Sequence, residues 1–215
     1  MPGKNLAVVG GRTLLARAID TASRSGLFGE IVVSSDDDTV LTEAATQGAT
    51  ADRRPTRLAT DETRIIEVVR EFIARRGLDA EQVMGILLPT APMTEVADLR
   101  AAHDLFLANN GDVPVVSVAP FERPIEMAQV VNDRNRLVPV FREAYLRTTR
   151  SQEHEPSYWY NGAIIVNCAG RLATQRTLIG DEPIPYVMPI ERSVDVDHEF
   201  QLALAEALLT RGPKA

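Results

Sequence analysis

Cysteine is nearly absent: Cys168 stands alone, which excludes an internal disulfide and a cysteine-based zinc site. Its setting, Ile164-Ile165-Val166-Asn167-Cys168, reads as a strand end, so a packed thiol is expected rather than a nucleophile. Long apolar runs are missing as well. The start, Met1-Pro2-Gly3-Lys4-Asn5, opens no stretch fit for a signal peptide or membrane helix, so the expectation is no membrane and a cytoplasmic location. There is no internal repeat, no low-complexity tract and no linker long enough to separate independent domains, so residues 1–215 read as one domain. Positive net charge is lacking too: a balance of -7 argues against a nonspecific nucleic-acid binder, while clustered arginines leave room for an anionic metabolite. What is present, 45% hydrophobic and 25% charged residues over 215 positions, is the composition of an ordinary soluble protein with a full core.

The periodicity alternates between helix and strand. Helical spacing is read over Leu14 to Ser25, Asp38 to Gln47, Glu62 to Arg76 with Asp61 as its cap and Ile65, Ile66, Val69, Phe72 and Ile73 on its buried face, and Glu95 to Asn109. Short apolar runs at Glu30 to Ser34, Val83 to Leu88 and Val113 to Val118 read as strands. Such a rhythm predicts an α/β fold with a mostly parallel sheet flanked by helices. It breaks between Pro120 and Tyr158, where Met127 to Val131 and Leu137 to Phe141 flank the turn Asn132 to Arg136, predicting a projecting β-rich arm. The strand Gly162 to Val166, a helix near Ala169 to Gln175, a strand near Pro185 to Met188 and a helix from Glu199 to Leu209 complete the chain.

Chemistry concentrates in Ser193-Val194-Asp195-Val196-Asp197-His198-Glu199. Alternation with valine puts Asp195 and Asp197 on one face of a strand end. Such a pair can hold a hard cation such as magnesium, which is commonly bound by one or two carboxylates plus substrate phosphates; Asp197 as a plain helix cap is the other reading. Lys4, ahead of Gly10-Gly11 and the first helix, reads either as a phosphate contact helped by the helix N-terminus or as a flexible terminal lysine. Ser34 to Asp38 ends a strand where α/β sheets bind ligands, or caps the next helix. His103, His154 and His198 are read as exposed or structural, and Tyr158-Trp159-Tyr160 as core and interface packing.

In order along the chain, Pro2-Gly3-Lys4-Asn5-Leu6, Gly26-Leu27-Phe28, Val33 to Asp37, Arg54-Pro55 with Leu58 to Asp61, Pro89-Thr90-Ala91-Pro92, Arg150-Ser151-Gln152, Asn161 to Ile165 and Val194 to Asp197 resemble bacterial cytidylyltransferases that activate nonulosonic acids. These are the sialic-acid (acylneuraminate) synthetases and their legionaminic and pseudaminic relatives. The resemblance implies a glycosyltransferase-A-like, Rossmann-type nucleotidyltransferase fold, a magnesium-dependent transfer of CMP from CTP to the sugar's anomeric hydroxyl, and a homodimer. By position, Lys4, Arg150 and Asp197 would be catalytic, with Arg150 reaching the acidic sugar across the subunit boundary. Asn5, Arg54, Pro89 and Thr90 would bind the cytidine nucleotide, Gln152 and Asn161 the sugar, and Asp195 and Asp197 the metal. The arm at about 120–158 would be the dimerisation element. A proton acceptor for the hydroxyl would be one aspartate or a metal-bound water.

Relatives also carry a further strand and a glycine-rich loop before the segment matching Pro2 to Asn5, so weak CTP binding is expected of the chain as given. Leu88 replaces a glutamine that many relatives use near the cytosine. Thr149 to Gln152 leans toward the pseudaminic branch, and Asn161 to Ile164 toward the sialic and legionaminic one. Other functions compatible with these residues are a noncatalytic dimeric sugar-binding module and a nucleotidyltransferase for a different acidic sugar such as 3-deoxy-octulosonate.

Overall fold

The structure is a computed structural model that describes residues 1, 3–60, 62–147, 150 and 155–211. In chain order its elements are β1 (Val8–Val9), β2 (Arg12–Thr13), α1 (Leu14–Ser25), β3 (Val32–Ser35), α2 (Asp38–Thr46), β4 (Thr50–Arg53), α3 (Ile65–Arg76), β5 (Val83–Leu87) and α4 (Val96–Ala108). There follow β6 (Val115–Pro120), β7 (Gln129–Val131), β8 (Leu137–Pro139), α5 (Arg142–Arg147), β9 (Tyr158–Cys168), α6 (Ala169–Thr174), β10 (Ile184–Val187) and α7 (Glu199–Arg211).

The main sheet has the order β10-β6-β9-β5. β10 and β6 are parallel, and β9 runs antiparallel to both β6 and β5. Three of the four strands therefore share a direction, and the sheet is mixed because β9 is reversed between them. A separate parallel pair is formed by β3 and β4. Arg53 ends β4.

Both faces of the main sheet are covered, as its continuous apolar strands require. On one face Leu99, Ala102 and Phe106 of α4 pack against Val115, Ile164 and Val166. On the other, Ile66, Val69 and Ile73 of α3 join Ala169 and Leu172 of α6. A further cluster, Val9, Leu14, Val194, Val196 and Ala205, binds the N-terminal hairpin and α7 to the extended segment between them. That packing positions the site, because it brings the two ends of the chain together.

Local chemistry sets most of the boundaries. Thr13 caps α1 by accepting from the amide of Ala16 at 3.0 Å, and Gly26 ends the helix at φ 68°, a conformation that costs glycine little. Asp37 caps α2 through the amides of Thr39 and Val40. Glu95 and Asp98 form a reciprocal capping box on α4. α3 begins at Ile65 and not at Glu62: Thr63 closes a turn onto the carbonyl of Thr60, Arg64 is the cap residue, and Ile65 is exposed rather than buried. The expected cap Asp61 lies outside the described residues.

The arm is a β7–β8 hairpin whose turn is closed by Asn132, with Oδ1 accepting from the amides of Arg134 and Arg136 at 3.0 Å each. The one-turn helix Ile125–Met127 packs against the short helix α5, an element that the sequence reading did not foresee. No described helix is long and apolar enough to cross a membrane.

Candidate active site

Asp195 and Asp197 lie in an extended segment that forms no ladder, so the expected strand end is absent, yet the alternation holds. Val194 and Val196 are buried, and the aspartates point to the other side. The amide of Val196 donates to the carbonyl of Thr90 at 2.8 Å. This bond ties the acidic segment to the turn Pro89-Thr90-Ala91-Pro92, where Thr90 is buried and Pro89 half-buried.

Lys4 sits on the one-turn helix Lys4–Leu6, directly followed by Asn5. Its Nζ lies 2.6 Å from Oδ1 of Asp197, across 193 residues of sequence. Asp197 is therefore not merely a helix cap. The amide of His198 donates to Oε1 of Gln201 at 2.8 Å.

The two carboxylates have opposite environments. Burial pushes Asp195 above the usual carboxylate range, aided by the charge of Asp197 and opposed by a hydrogen bond from Thr90. Lys4, through its hydrogen bond and its charge, holds Asp197 below that range. Two acids set apart in this way can take different roles.

They open onto a cavity of about 400 Å³. Asp195, Asp197 and Gln201 supply its polar side, and Trp159, Ile190 and Leu204 an apolar wall. Trp159, expected in the packing, lines this cavity. Gly162, at φ 74°, stands beside it; a Cβ there would lie 3.3 Å from Leu88, which would have to give, and in ordinary contact with Oδ2 of Asp195 at 3.8 Å, while the positive φ itself favours glycine.

Behind the cavity two polar networks hold its wall. Asn161 is wholly buried; its Nδ2 donates to Oγ of Ser193 at 2.9 Å, and its Oδ1 accepts from Oγ of Ser117 at 2.6 Å and from the amide of Ala163 at 3.2 Å. The side chain that the resemblance assigns to the sugar thus faces the interior and steadies Ser193, two positions before Asp195. The second network centres on Asp98, 1% exposed. It accepts from Nη1 of Arg192 at 2.5 Å, from the hydroxyl of Tyr186 at 2.8 Å and from the amide of Glu95 at 2.9 Å. Burial, then the Asp98 hydrogen bond, pushes the Tyr186 phenol up to about 12. Arg192 immediately precedes Ser193, so this pairing anchors the acidic segment to α4.

The remaining candidates are dispersed. Arg54 belongs to the ends of β3 and β4, where its amide donates to the carbonyl of Ser35 at 2.9 Å and Nη2 to that of Ser34 at 2.6 Å. Its Nε is buried with no partner among the described residues. Beside it Arg53 pairs with Asp38 and donates to the carbonyl of Asp36, so the Ser34 to Asp38 loop is braced by arginine as well as by its cap. Arg150, which follows α5 in sequence, is exposed, and Gln152 and His154 lie outside the described residues.

Gly10-Gly11 is not a phosphate loop. It forms the turn of the β1–β2 hairpin, and the amide of Gly10 is taken by Oε2 of Glu206 at 2.6 Å, a carboxylate where an anion would have to sit. The sequence reading missed Asp98, Arg192 and Ser117, and gave Ser193 no role within the stretch that it heads. Only the Glu95-x-x-Asp98 capping pattern could have marked the first of these.

The sequence and the fold have counterparts among known proteins. A family model described as cytidylyltransferase matches residues 1–166. A pseudaminic acid cytidylyltransferase of Campylobacter jejuni subsp. jejuni serotype O:23/36 is 28% identical over 212 residues, 97% of this chain and 90% of that protein. The CMP-N,N'-diacetyllegionaminic acid synthase of Legionella pneumophila subsp. pneumophila is 26% identical over 222 residues, covering 100% and 93%. In three dimensions the chain resembles a CMP:2-keto-3-deoxy-manno-octonic acid synthetase complexed with CTP, with a TM-score of 0.71 at 15% identity over 99% of this chain and 94% of the other. That likeness carries the fold. With the family model matching residues 1–166, most of its length, the chain belongs to the cytidylyltransferase family.

Proposed function

We propose that this protein transfers CMP from CTP to the anomeric hydroxyl of a nonulosonic acid, releasing pyrophosphate. The observation that carries the reading is the 2.6 Å contact between Lys4 and Asp197 at a cavity that Asp195 also lines. One cation and two carboxylates at a cavity mouth suit a reaction in which negative charge gathers on phosphate oxygens. Both relatives act on acids of this class by name.

Asp195 and Asp197 fit a magnesium ion. Oxygen donors are what it takes, and two carboxylates suffice when substrate phosphates complete the set. No cluster of three or more His, Cys, Asp or Glu competes for the ion among the described residues. When bound, magnesium would supply charge neutralisation at the phosphates. Lys4 would turn from Asp197 to a phosphate oxygen and oppose the charge that grows on departing pyrophosphate. Thr90 would keep Asp195 oriented, and the Asn161 and Asp98 networks would hold the segment still, so little reorganisation is left for the reacting state. Arg54 would lie by the base or ribose, with Asn5 and Pro89 near the nucleotide.

The arm carries exposed Val130, Val131, Leu137, Val140, Phe141 and Leu146. Such a concentration of apolar side chains favours a second copy of the chain as its cover, and the exposed Arg150 would then reach the sugar carboxylate of the neighbouring subunit as a bidentate partner. A CTP-dependent reaction would put the enzyme in the cytoplasm.

The test is pyrophosphate release from CTP and magnesium with pseudaminic, legionaminic and sialic acids, with 3-deoxy-octulosonate alongside. Turnover with at least one nine-carbon acid, lost about 100-fold or more in Asp197→Asn, is the expected result. Turnover with the eight-carbon acid alone, or binding of sugars with no turnover at all, would overturn it.

A further inference from the structure

The β6–β9 ladder slips its register where it passes the cavity. Val116 pairs with Ile165 and Val118 with Tyr160, so Ser117 alone on β6 stands opposite the four β9 residues Asn161 to Ile164. β9 therefore bulges, with Gly162 at φ 74° in the bend. Bulges of this kind re-aim the chain beside functional sites. This one leans toward the acidic segment, since a Cβ on Gly162 would be in ordinary contact with Asp195.

Ser117 locks the bulge. Its Oγ accepts from the amide of Ile164 at 2.7 Å, and its single proton goes to Oδ1 of Asn161 at 2.6 Å in preference to the carbonyl of Ile164 at 3.2 Å. Oδ1 also accepts from the amide of Ala163, so turning the Asn161 side chain round would set donor against donor. Nδ2 is thereby committed to Ser193, whose Oγ accepts from it at 2.9 Å and donates to the carbonyl of Pro189 at 2.9 Å. All three side chains are buried beside the apolar cluster of Val116, Val118 and Ile165. A polar chain in such surroundings adds little net stability, but with every member satisfied it fixes one geometry. Its last member stands two residues before Asp195.

We propose that Ser117 and Ser193 are positioning residues for Asp195: acting through Asn161, they hold the acidic segment in register with the β9 bulge, so that the carboxylate meets a divalent cation without rearranging. The proposal rests on the reading that Asp195 and Asp197 hold such an ion. It assigns to two serines that touch neither substrate nor ion an effect on cation affinity, separate from any effect on folding.

Ser193→Ala cuts the last link and leaves Ser117 and Asn161 bonded to each other. The affinity of the full chain for Mn²⁺, followed by the electron paramagnetic resonance of the free ion during titration, should fall about 10-fold, the lower end for loss of a group that orients a metal ligand. Gly85→Ala, in β5 and outside the relay, controls for lost stability alone and should bind Mn²⁺ as the wild type does. Ser117→Ala should weaken binding too, and the double variant should bind no more weakly than the weaker single, because both serines act through Asn161. Wild-type affinity in Ser193→Ala, or a loss no greater than that of Gly85→Ala, would overturn the proposal. Losses that multiply in the double variant would also overturn it, since Ser117 would then act by a route of its own. If the wild-type chain takes up no Mn²⁺, it is the cation reading itself that fails, and this inference with it.

Discussion

Asp98→Ala should be among the most damaging single changes outside the cavity. The wild-type carboxylate, 1% exposed, receives Arg192, the Tyr186 hydroxyl and the Glu95 amide. Alanine leaves Tyr186 and the amide of Glu95 without their acceptor, and it leaves Arg192 only Glu95 at 3.1 Å, whose side chain is 64% exposed and so a weakly held partner. Breaking a buried pair from one side costs about 3–5 kcal/mol. Because the Arg192 side chain keeps 25% of its exposure and can hydrate, the lower part of that range applies. About 3 kcal/mol, at roughly 2–4 °C per kcal/mol for a chain of this length, lowers the melting temperature by about 6–12 °C. Calorimetry measures it, and Arg192→Met in the Asp98→Ala background supplies the cycle: with its partner gone, the second change should cost far less than in the wild type. A loss under about 1 kcal/mol, or additive effects, would refute the network as described.

Three further outcomes follow from the same geometry. Asn161→Leu strands the hydroxyls of Ser117 and Ser193 and the amide of Ala163, and should cost at least about 2 kcal/mol in urea unfolding; wild-type stability with only a raised KM for the sugar would mean that the amide faces substrate after all. Gly85→Ala puts a Cβ 2.5 Å from the Phe28 ring and should destabilise by about 1–3 kcal/mol, most of it recovered by adding Phe28→Leu; no recovery would locate the strain elsewhere. Lys4→Met should raise the Asp197 pKa toward the ordinary carboxylate value, as read by carbon NMR of the carboxyl. Since the folded value is the lowered one, the pair's contribution is present above the unfolded pKa and fades as pH falls through the folded one, and an unmoved titration would show that Lys4 is not the cause.

The helix and strand rhythm was legible because it depends on local spacing. α4 and its capping box, the Asn132 turn and the strand over Ile164 to Val166 all follow from residues within a few positions of one another. The start of α3 was misjudged because a Thr60 to Thr63 turn competes with helix there. What the amide of Gly10 would face was not legible, because it depends on Glu206, 196 residues away. Asn161 could be noted as a motif residue, but whether its amide faced a ligand or the core depended on Ser117 and Ser193 arriving from other elements.

By itself the sequence determined that two aspartates alternate with valines and share a face, since side-chain direction along an extended chain is a property of neighbouring residues. It equally determined the layered α/β character, through apolar periodicity. Only the tertiary structure decided that Lys4 meets Asp197, that β9 runs against its neighbours, and that Asp195 becomes the less acidic of the pair. Those outcomes depend on which surfaces the core of Val9, Leu14, Val194, Val196 and Ala205 draws together, and burial and charge act through space, without regard to distance along the chain.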